Sequence, residues 1–106
     1  MSLNRVDATH GFHATMTARP GKADELIDVL LASAPASNPN CLLFLVGRSA
    51  GDRNVVYVSE AWTTKEAHAE NFAKDSSKTL VAKIGSLVTG NPEYRDEVAV
   101  GALLRP

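Results

Sequence analysis

The spacing of apolar and polar residues changes several times along the chain, and each spacing predicts one element. Residues 12–18 alternate with a period of two, which predicts a strand. Residues 22–34 carry an apolar stripe at helical spacing, which predicts an amphipathic helix. Two apolar runs, at residues 41–46 and 55–61, predict two further strands joined by a short turn.

The second half of the chain predicts a helix in two pieces and a last strand. Thr63 and Glu66 have the spacing of a capping box, in which each side chain bonds the free backbone N–H of the other, so we expect a helix to begin there. The polar segment 74–77 should interrupt this helix, and Gly90 should end its second piece. Residues 94–104 then predict a strand. The order of elements is β-α-β-β-α-β.

That order predicts an α+β fold: a ferredoxin-like βαββαβ sandwich whose helices lie on one face of a four-stranded antiparallel sheet. A sheet covered on one face should alternate apolar and polar residues, yet residues 41–46 and 55–58 are apolar on both sides. Lone soluble domains rarely expose so large an apolar patch. We therefore expect a homodimer that packs sheet to sheet. The alternative is a C-terminal segment folded across the sheet.

Composition and charge limit the classes of function. The 106 residues fit a single domain, 1–106, in which we expect residues 1–10 to be flexible. Lys and Arg number 11 against 12 Asp and Glu, without a basic stripe, so no nucleic-acid partner is expected. No apolar run approaches the roughly 20 residues that span a bilayer, and the N-terminus lacks an apolar signal core. The single cysteine, Cys41, fits a reducing compartment, so we expect a cytoplasmic protein without a membrane partner.

Motifs that bind metals or common cofactors are absent from the sequence, including GxGxxG, GxxxxGK[ST], CxxC and HExxH. His10 and His13 are three residues apart in or near a strand, so they should point to opposite faces. His68 is far from both in sequence. We therefore expect neither a metal site nor a cofactor. His13 should face the dimer interface.

Several short stretches resemble the antibiotic biosynthesis monooxygenase family. They are the Arg-Pro-Gly-Lys turn at residues 19–22, Glu-Ala-Trp at residues 60–62 followed by Glu-Ala at residues 66–67, and Gly-Asn-Pro at residues 90–92. The likeness extends over residues 11–104. It implies a ferredoxin-like unit that pairs into a dimeric α/β barrel. Many members of this family are cofactor-free oxygenases of phenols, quinols or anthrones, and others are haem-degrading enzymes or isomerases.

Individual positions narrow the activity that the resemblance implies. Trp62 matches the tryptophan that closes the third strand of the family. Quinol-oxygenase-like members often have a histidine nine residues later, where this chain has Asn71, while its own histidine is His68. The haem-degrading branch has an asparagine, a tryptophan and a histidine at the positions of Ala14, Asn71 and Val81. The resemblance therefore disfavours haem degradation.

An oxygenase without a cofactor needs a dry apolar pocket, a proton acceptor and hydrogen-bond donors for an electron-rich substrate. We expect His68 and Asn71 to be the catalytic groups, with His68 as the base because the pKa of free imidazole, about 6.5, lies near neutrality. Trp62, Tyr57 and Phe72 are the expected aromatic walls for a small aromatic substrate that reacts with O₂.

Each of these assignments has an alternative. Trp62 could plug the core or an edge of the sheet, His68 could be a solvated helix residue, and Asn71 could end a helix. At the level of function, the alternative is a non-oxygenase of the same fold, either a small-metabolite-binding protein or a carbonyl isomerase. A purely structural dimer is a third hypothesis.

Overall fold

A computed structural model describes residues 4–6, 8–100 and 102–104 of the protein, with side chains described for residues 8–100. The elements are β1 (Asn4–Val6), β2 (His10–Thr17), α1 (Ala23–Ala32), β3 (Cys41–Arg48), β4 (Val55–Trp62), α2 (Lys65–Phe72), α3 (Asp75–Leu87), β5 (Glu93–Val98) and β6 (Ala102–Leu104). From β2 to β5 they follow the predicted βαββαβ order. The predicted ferredoxin-like α+β fold is thus confirmed.

The main sheet contains four antiparallel strands in the order β3-β4-β2-β5, so β4 and β2 are central and the sheet is not closed. In the register of β2, Ala14 lies opposite Val58 of β4 and Tyr94 of β5. Residues at even positions of these three strands therefore share one face of the sheet. Within the described parts of the chain, no helix is long and apolar enough to cross a membrane.

The helices cover this even-numbered face, and the core lies between them and the sheet. It is built from apolar side chains of β2, β4, α1 and α3 and the residues beside them: Ala14, Met16, Ala18, Ala23, Leu26, Leu30, Val56, Val58, Ile84, Leu87 and Val88. Leu26 on α1 is fully buried. Burying one such side chain stabilises the fold by about 1.5–3 kcal/mol.

The start of α2 differs from the prediction by one residue. Its N-cap is Thr64, whose hydroxyl oxygen accepts a hydrogen bond from the Ala67 backbone N–H at 3.0 Å. The predicted capping box of Thr63 and Glu66 is therefore wrong. The Thr63 hydroxyl instead lies 2.9 Å from the side-chain oxygen of Asn40. Two consecutive threonines both suit an N-cap, and their spacing alone does not choose between them.

The ends of the chain also differ from the prediction. In place of one strand over residues 94–104, the structure has β5 and a separate β6, which pairs with β1 in a two-stranded sheet. Of residues 1–10, predicted to be flexible, the structure describes β1 and residues 8–10, and His10 begins β2. The interruption predicted at residues 74–77 is shorter, because α3 already begins at Asp75.

The odd-numbered face of the sheet is apolar along β3 and β4, as the runs at residues 41–46 and 55–58 predicted. Leu43, Leu45 and Tyr57 project from this open face, and the described part of the chain leaves them exposed. The predicted alternative, a C-terminal segment folded across the sheet, does not cover these three residues in the described part of the chain.

His13 also lies on the open face, as predicted. Its Nε2 is 2.7 Å from Oε1 of Glu97, and its Nδ1 is 3.1 Å from the hydroxyl of Ser59. Gly11 leaves room for the Glu97 side chain, since a Cβ at that position would lie 2.5 Å from the same Oε1. Alternation along β2 places His13 on the side of the sheet opposite to the helices, where the Ser59 and Glu97 side chains contact its ring.

Candidate functional site

A cavity of about 100 Å³ lies between the even-numbered face of the sheet and helices α2 and α3. Its walls are mostly apolar and include Phe12, Met16, Phe44, Phe72, Leu80 and Ile84. It shares four residues, among them His68 and Tyr94, with a cleft of about 370 Å³ that opens at the end of the sheet. Ligand pockets commonly measure about 300–1,000 Å³, so the cavity and cleft together can hold a small aromatic molecule.

Helix α2 supplies one wall of this cavity through residues spaced three and four apart. His68, Asn71 and Phe72 all line it, because residues at i, i+3 and i+4 lie on the same side of a helix. The Thr64 cap fixes where α2 begins and hence which side of the helix carries His68. The backbone carbonyl of Asn71 accepts a hydrogen bond from the hydroxyl of Ser77 at 2.7 Å, which connects the end of α2 to α3.

His68 is largely buried among aromatic rings. Its ring centroid lies 4.7 Å from that of Phe12 and 5.2 Å from that of Trp62. Burial is the main cause that lowers the pKa of His68, the charge of His10 lowers it further, and Asp96 opposes both. The imidazole is therefore held in its neutral form, with a nitrogen lone pair free to accept a proton or bind a cation.

Glu60 is a second ionisable group on the cavity wall. It lies on β4 two residues before Trp62, so both side chains face the helices. The Glu60 side chain is only 11% exposed, and its Oε1 lies 3.8 Å from Nε2 of His68. Burial raises the pKa of this carboxyl, although a hydrogen bond of 2.9 Å from the Trp62 indole N–H to Oε1 opposes the rise.

His10, His68 and Asp96 form a cluster at the mouth of the cavity. Nε2 of His10 lies 3.1 Å from Nδ1 of His68 and 3.4 Å from Oδ1 of Asp96. One nitrogen or oxygen atom from each residue lies within 4.8 Å of the other two. His10 is buried, whereas Asp96 is exposed on the edge strand β5. These residues come from β2, α2 and β5, three elements that are distant in sequence.

Three of the five side chains predicted for the site meet at the cavity: His68, Asn71 and Phe72. Trp62 is fully buried and does not line the cavity, but it contacts His68 and holds Glu60 in place. Tyr57 lies on the open face of the sheet, on the far side from the cavity, so its assignment to the substrate wall is corrected.

Successive side chains of a strand point to opposite faces, which explains why Tyr57 was assigned to the wrong face and why Glu60 was missed. Tyr57 and Trp62 are five residues apart in β4 and therefore point to opposite faces, whereas Glu60 and Trp62 share a face. The opposite orientations of His10 and His13 were predicted correctly. His68 is far from His10 in sequence, but pairing of β2 with β4 brings the start of α2 beside His10.

Comparisons with known proteins agree with this architecture. Residues 9–83 match the family profile of antibiotic biosynthesis monooxygenases. A candidate antibiotic biosynthesis monooxygenase from Chloroflexus aurantiacus J-10-fl has a similar structure, with a TM-score of 0.79 and 28% identity over 90% of this chain and 96% of its own. A second candidate, from Caulobacter crescentus CB15, gives a TM-score of 0.79 and 29% identity over 89% and 92% of the two chains.

A Nitrosomonas europaea protein of unknown function shares the fold at a TM-score of 0.80 but only 15% identity, over 94% of this chain and 97% of its own. Among curated protein sequences, none matched significantly. The profile match over residues 9–83 covers well over half of the sequence. The chain therefore belongs to the antibiotic biosynthesis monooxygenase family.

Proposed function

We propose that the protein is a cofactor-independent monooxygenase that oxidises a small phenolic or quinol-type aromatic substrate with O₂. The observation that carries this proposal is the convergence of His68 and Asn71 from α2 and Glu60 from β4 on one mostly apolar cavity. Apolar walls exclude water, and a few polar groups can then orient and deprotonate a substrate hydroxyl. Membership of the family supports the same class of reaction.

In this proposal the aromatic ring of the substrate packs against Phe12 and Phe72, with its hydroxyl directed to α2. His68 removes the hydroxyl proton, and the amide of Asn71 donates a hydrogen bond to the resulting oxyanion. The electron-rich anion passes one electron to O₂, and the two radicals combine to form a C–O bond as a peroxide. His68 returns its proton to the peroxide, which then loses water together with the hydrogen of the attacked carbon and leaves a carbonyl, so one oxygen atom enters the substrate and the other leaves as water.

We also propose that the protein acts as a homodimer, formed by the open faces of two sheets. Leu43, Leu45 and Tyr57 supply exposed apolar surface on adjacent strands β3 and β4, where a monomer would leave it in water. A second copy of the same face would bury this surface around a two-fold axis. His13 and Glu97 would then lie at the interface rather than at the cavity.

The oxygenase proposal is tested by oxygen uptake with a panel of quinols and dihydroxynaphthalenes, in the presence of a metal chelator. Uptake above the protein-free rate should fall by about 100-fold or more in His68→Ala, since a general base contributes roughly 10²–10⁴ in rate. The matched control is His13→Ala, which removes a histidine from the other face of the sheet. Uptake equal to the protein-free rate across the panel would contradict the proposal.

The second candidate is a carbonyl isomerase, favoured by the proximity of Glu60 and His68. Two proton-exchanging groups 3.8 Å apart in one cavity could remove a proton from one carbon and return it to another. Such a reaction consumes no O₂. Exchange of substrate protons with deuterated solvent under anaerobic conditions, followed by NMR, would support the isomerase, whereas saturable quenching of Trp62 fluorescence without turnover would indicate a binding protein.

A further inference from the structure

We propose that His10, His68 and Asp96 bind one divalent first-row transition-metal ion, such as Zn²⁺, Co²⁺ or Ni²⁺. Two imidazoles and one carboxylate are ligand types that these ions share. The three side chains converge from β2, α2 and β5 at the cleft that shares His68 with the cavity. The family resemblance and the comparisons with known proteins do not assign such a site.

The distances suit a small metal ion. Zn²⁺ binds nitrogen and oxygen at about 2.0–2.2 Å, and ligands at the corners of a tetrahedron of that size lie about 3.3–3.5 Å apart. Nε2 of His10 is 3.1 Å from Nδ1 of His68 and 3.4 Å from Oδ1 of Asp96. Two of the three ligand pairs are therefore already close to the required separation, and the third lies within 4.8 Å.

A hydrogen-bonded proton relay accounts less well for this geometry. A relay through His10 would use its two ring nitrogens, one toward Asp96 and the other toward His68. Both contacts instead involve the same atom, Nε2 of His10. That nitrogen carries at most one proton, which cannot make a good hydrogen bond to both partners at once. A cation at the point of convergence would interact with all three lone-pair donors.

The surroundings of the cluster also suit a metal ligand. Histidines that bind metals usually donate their second ring N–H to a carboxylate, and Oε1 of Glu60, 3.8 Å from Nε2 of His68, would have to move closer to accept such a bond. The indole N–H of Trp62 holds that carboxylate in place. Lys65 lines the same cleft and opposes a cation, whereas the exposed carboxylate of Asp96 favours one.

Metal binding would change the role of His68 in the proposed oxygenase. An imidazole that binds a metal through Nδ1 carries its proton on Nε2, so it cannot accept a proton from a substrate there. A bound ion and a basic His68 therefore exclude each other, and Zn²⁺ should suppress oxygen uptake. This consequence rests on the proposed function, whereas metal binding itself does not.

The single tryptophan of the chain provides a direct test of binding, because its ring centroid lies 5.2 Å from that of His68. Ni²⁺ is titrated into the untagged full-length protein while Trp62 fluorescence is recorded. We expect saturable quenching at one equivalent, reversed by a chelator and prevented by Zn²⁺. Asp96→Asn and His10→Ala should each weaken binding by about tenfold or more, as loss of a metal-site residue commonly does.

The control is His13→Ala, which disrupts a histidine–carboxylate pair on the opposite face and should leave the titration unchanged. Circular dichroism verifies that each variant folds, and Asp96→Asn remains informative if the buried His10 variant does not, because Asp96 is exposed. Absence of saturable quenching, or equal quenching in Asp96→Asn and the wild type, would overturn the proposal. The titration measures no turnover, so the metal site and the oxygenase can fail independently.

Discussion

At the scale of single residues, burial determines what the side chains of the candidate site can do. Aromatic neighbours desolvate His68, which lowers the pKa of its imidazole and keeps it neutral. Burial raises the pKa of the Glu60 carboxyl and so favours its protonated form. Both groups therefore favour their uncharged forms, and they approach to 3.8 Å from β4 and α2, where each could exchange a proton with a bound molecule.

Trp62 is predicted to support the site through its hydrogen bond to Glu60. Trp62→Phe removes the indole donor and part of a fully buried ring, leaving a cavity and a carboxyl without that partner. We expect a loss of about 2–4 kcal/mol in the free energy of unfolding, measured in urea. Tyr57→Phe, on the exposed face, should change it by less than about 0.5 kcal/mol. Equal effects of the two substitutions would contradict the assigned role of Trp62.

Part of the site could be predicted from sequence because its residues are close along the chain. His68, Asn71 and Phe72 follow one helical period, and the cavity contains all three. Glu60 could have been predicted from the alternation of β4, since it shares a strand face with Trp62. His10 and Asp96 were not, because their approach to His68 depends on which strands pair, and an apolar pattern predicts strands without specifying their partners.

At the scale of elements, helix α2 connects the local sequence to the site. The Thr64 cap sets its first turn, and His68 follows one turn later on the side that faces the sheet. The acidic first turn of α1 plays a different part, since Asp24 pairs with Arg48 at the end of β3 and with Arg53. Helix α2 thus positions the side chains of the candidate site, whereas ion pairs connect α1 to β3 and to the turn that follows it.

Removing the Thr64 cap should destabilise α2. Thr64→Ala leaves the Ala67 backbone N–H without its side-chain acceptor, and we expect a loss of about 1 kcal/mol in the free energy of unfolding. Thr64→Ser retains the hydroxyl and should keep most of the stability that Thr64→Ala loses. Chemical denaturation of the three proteins measures the effect. If Glu66→Ala were costly and Thr64→Ala neutral, the cap would instead be the box of Thr63 and Glu66.

The pKa of Asp24 should depend on Arg48. The hydrogen bond from Arg48 is the main cause that lowers the pKa of this exposed carboxyl from 3.8, and the charges of Arg48 and Arg53 add to it. A lowered pKa stabilises the fold above the unfolded value, and this contribution disappears as the pH falls through the folded value. In Arg48→Ala the pKa should rise toward 3.8, as followed by NMR of the Asp24 carboxyl carbon. An unchanged titration would exclude the interaction in solution.

The elements of the fold were largely predictable, because strands and helices have different apolar periods. Sequence predicted β2 to β5 and both parts of the second helical segment in the right order. It missed the pairing of β1 with β6, two three-residue strands at opposite ends of the chain. Strands that short carry too few positions for a period to be recognised.

At the scale of the whole molecule, the two faces of the sheet have different roles. The even-numbered face carries the core, the cavity and the His10–His68–Asp96 cluster. The open face carries exposed apolar residues with His13 and Glu97 beside them. A dimer formed through the open face would leave the cavity on the outer, helix-covered side of each subunit's sheet.

The proposed dimer should dissociate when charge is placed in its interface. Leu45 on the open face is 56% exposed, and Leu31 on the outer side of α1 is 55% exposed. Leu45→Glu should yield a monomer because it buries an unpaired charge at the interface, whereas Leu31→Glu should remain dimeric. Sedimentation at micromolar concentration measures the mass of each. A monomeric wild type would contradict the dimer.

The most direct test of the central claim is turnover of an accepted quinol under isotope-labelled O₂, with a chelator present and the product examined by mass spectrometry. The oxygenase proposal predicts one labelled oxygen atom per product molecule, at a rate that falls by about 100-fold or more in His68→Ala. Product without label, or labelling equal in the wild type and His68→Ala, would contradict it.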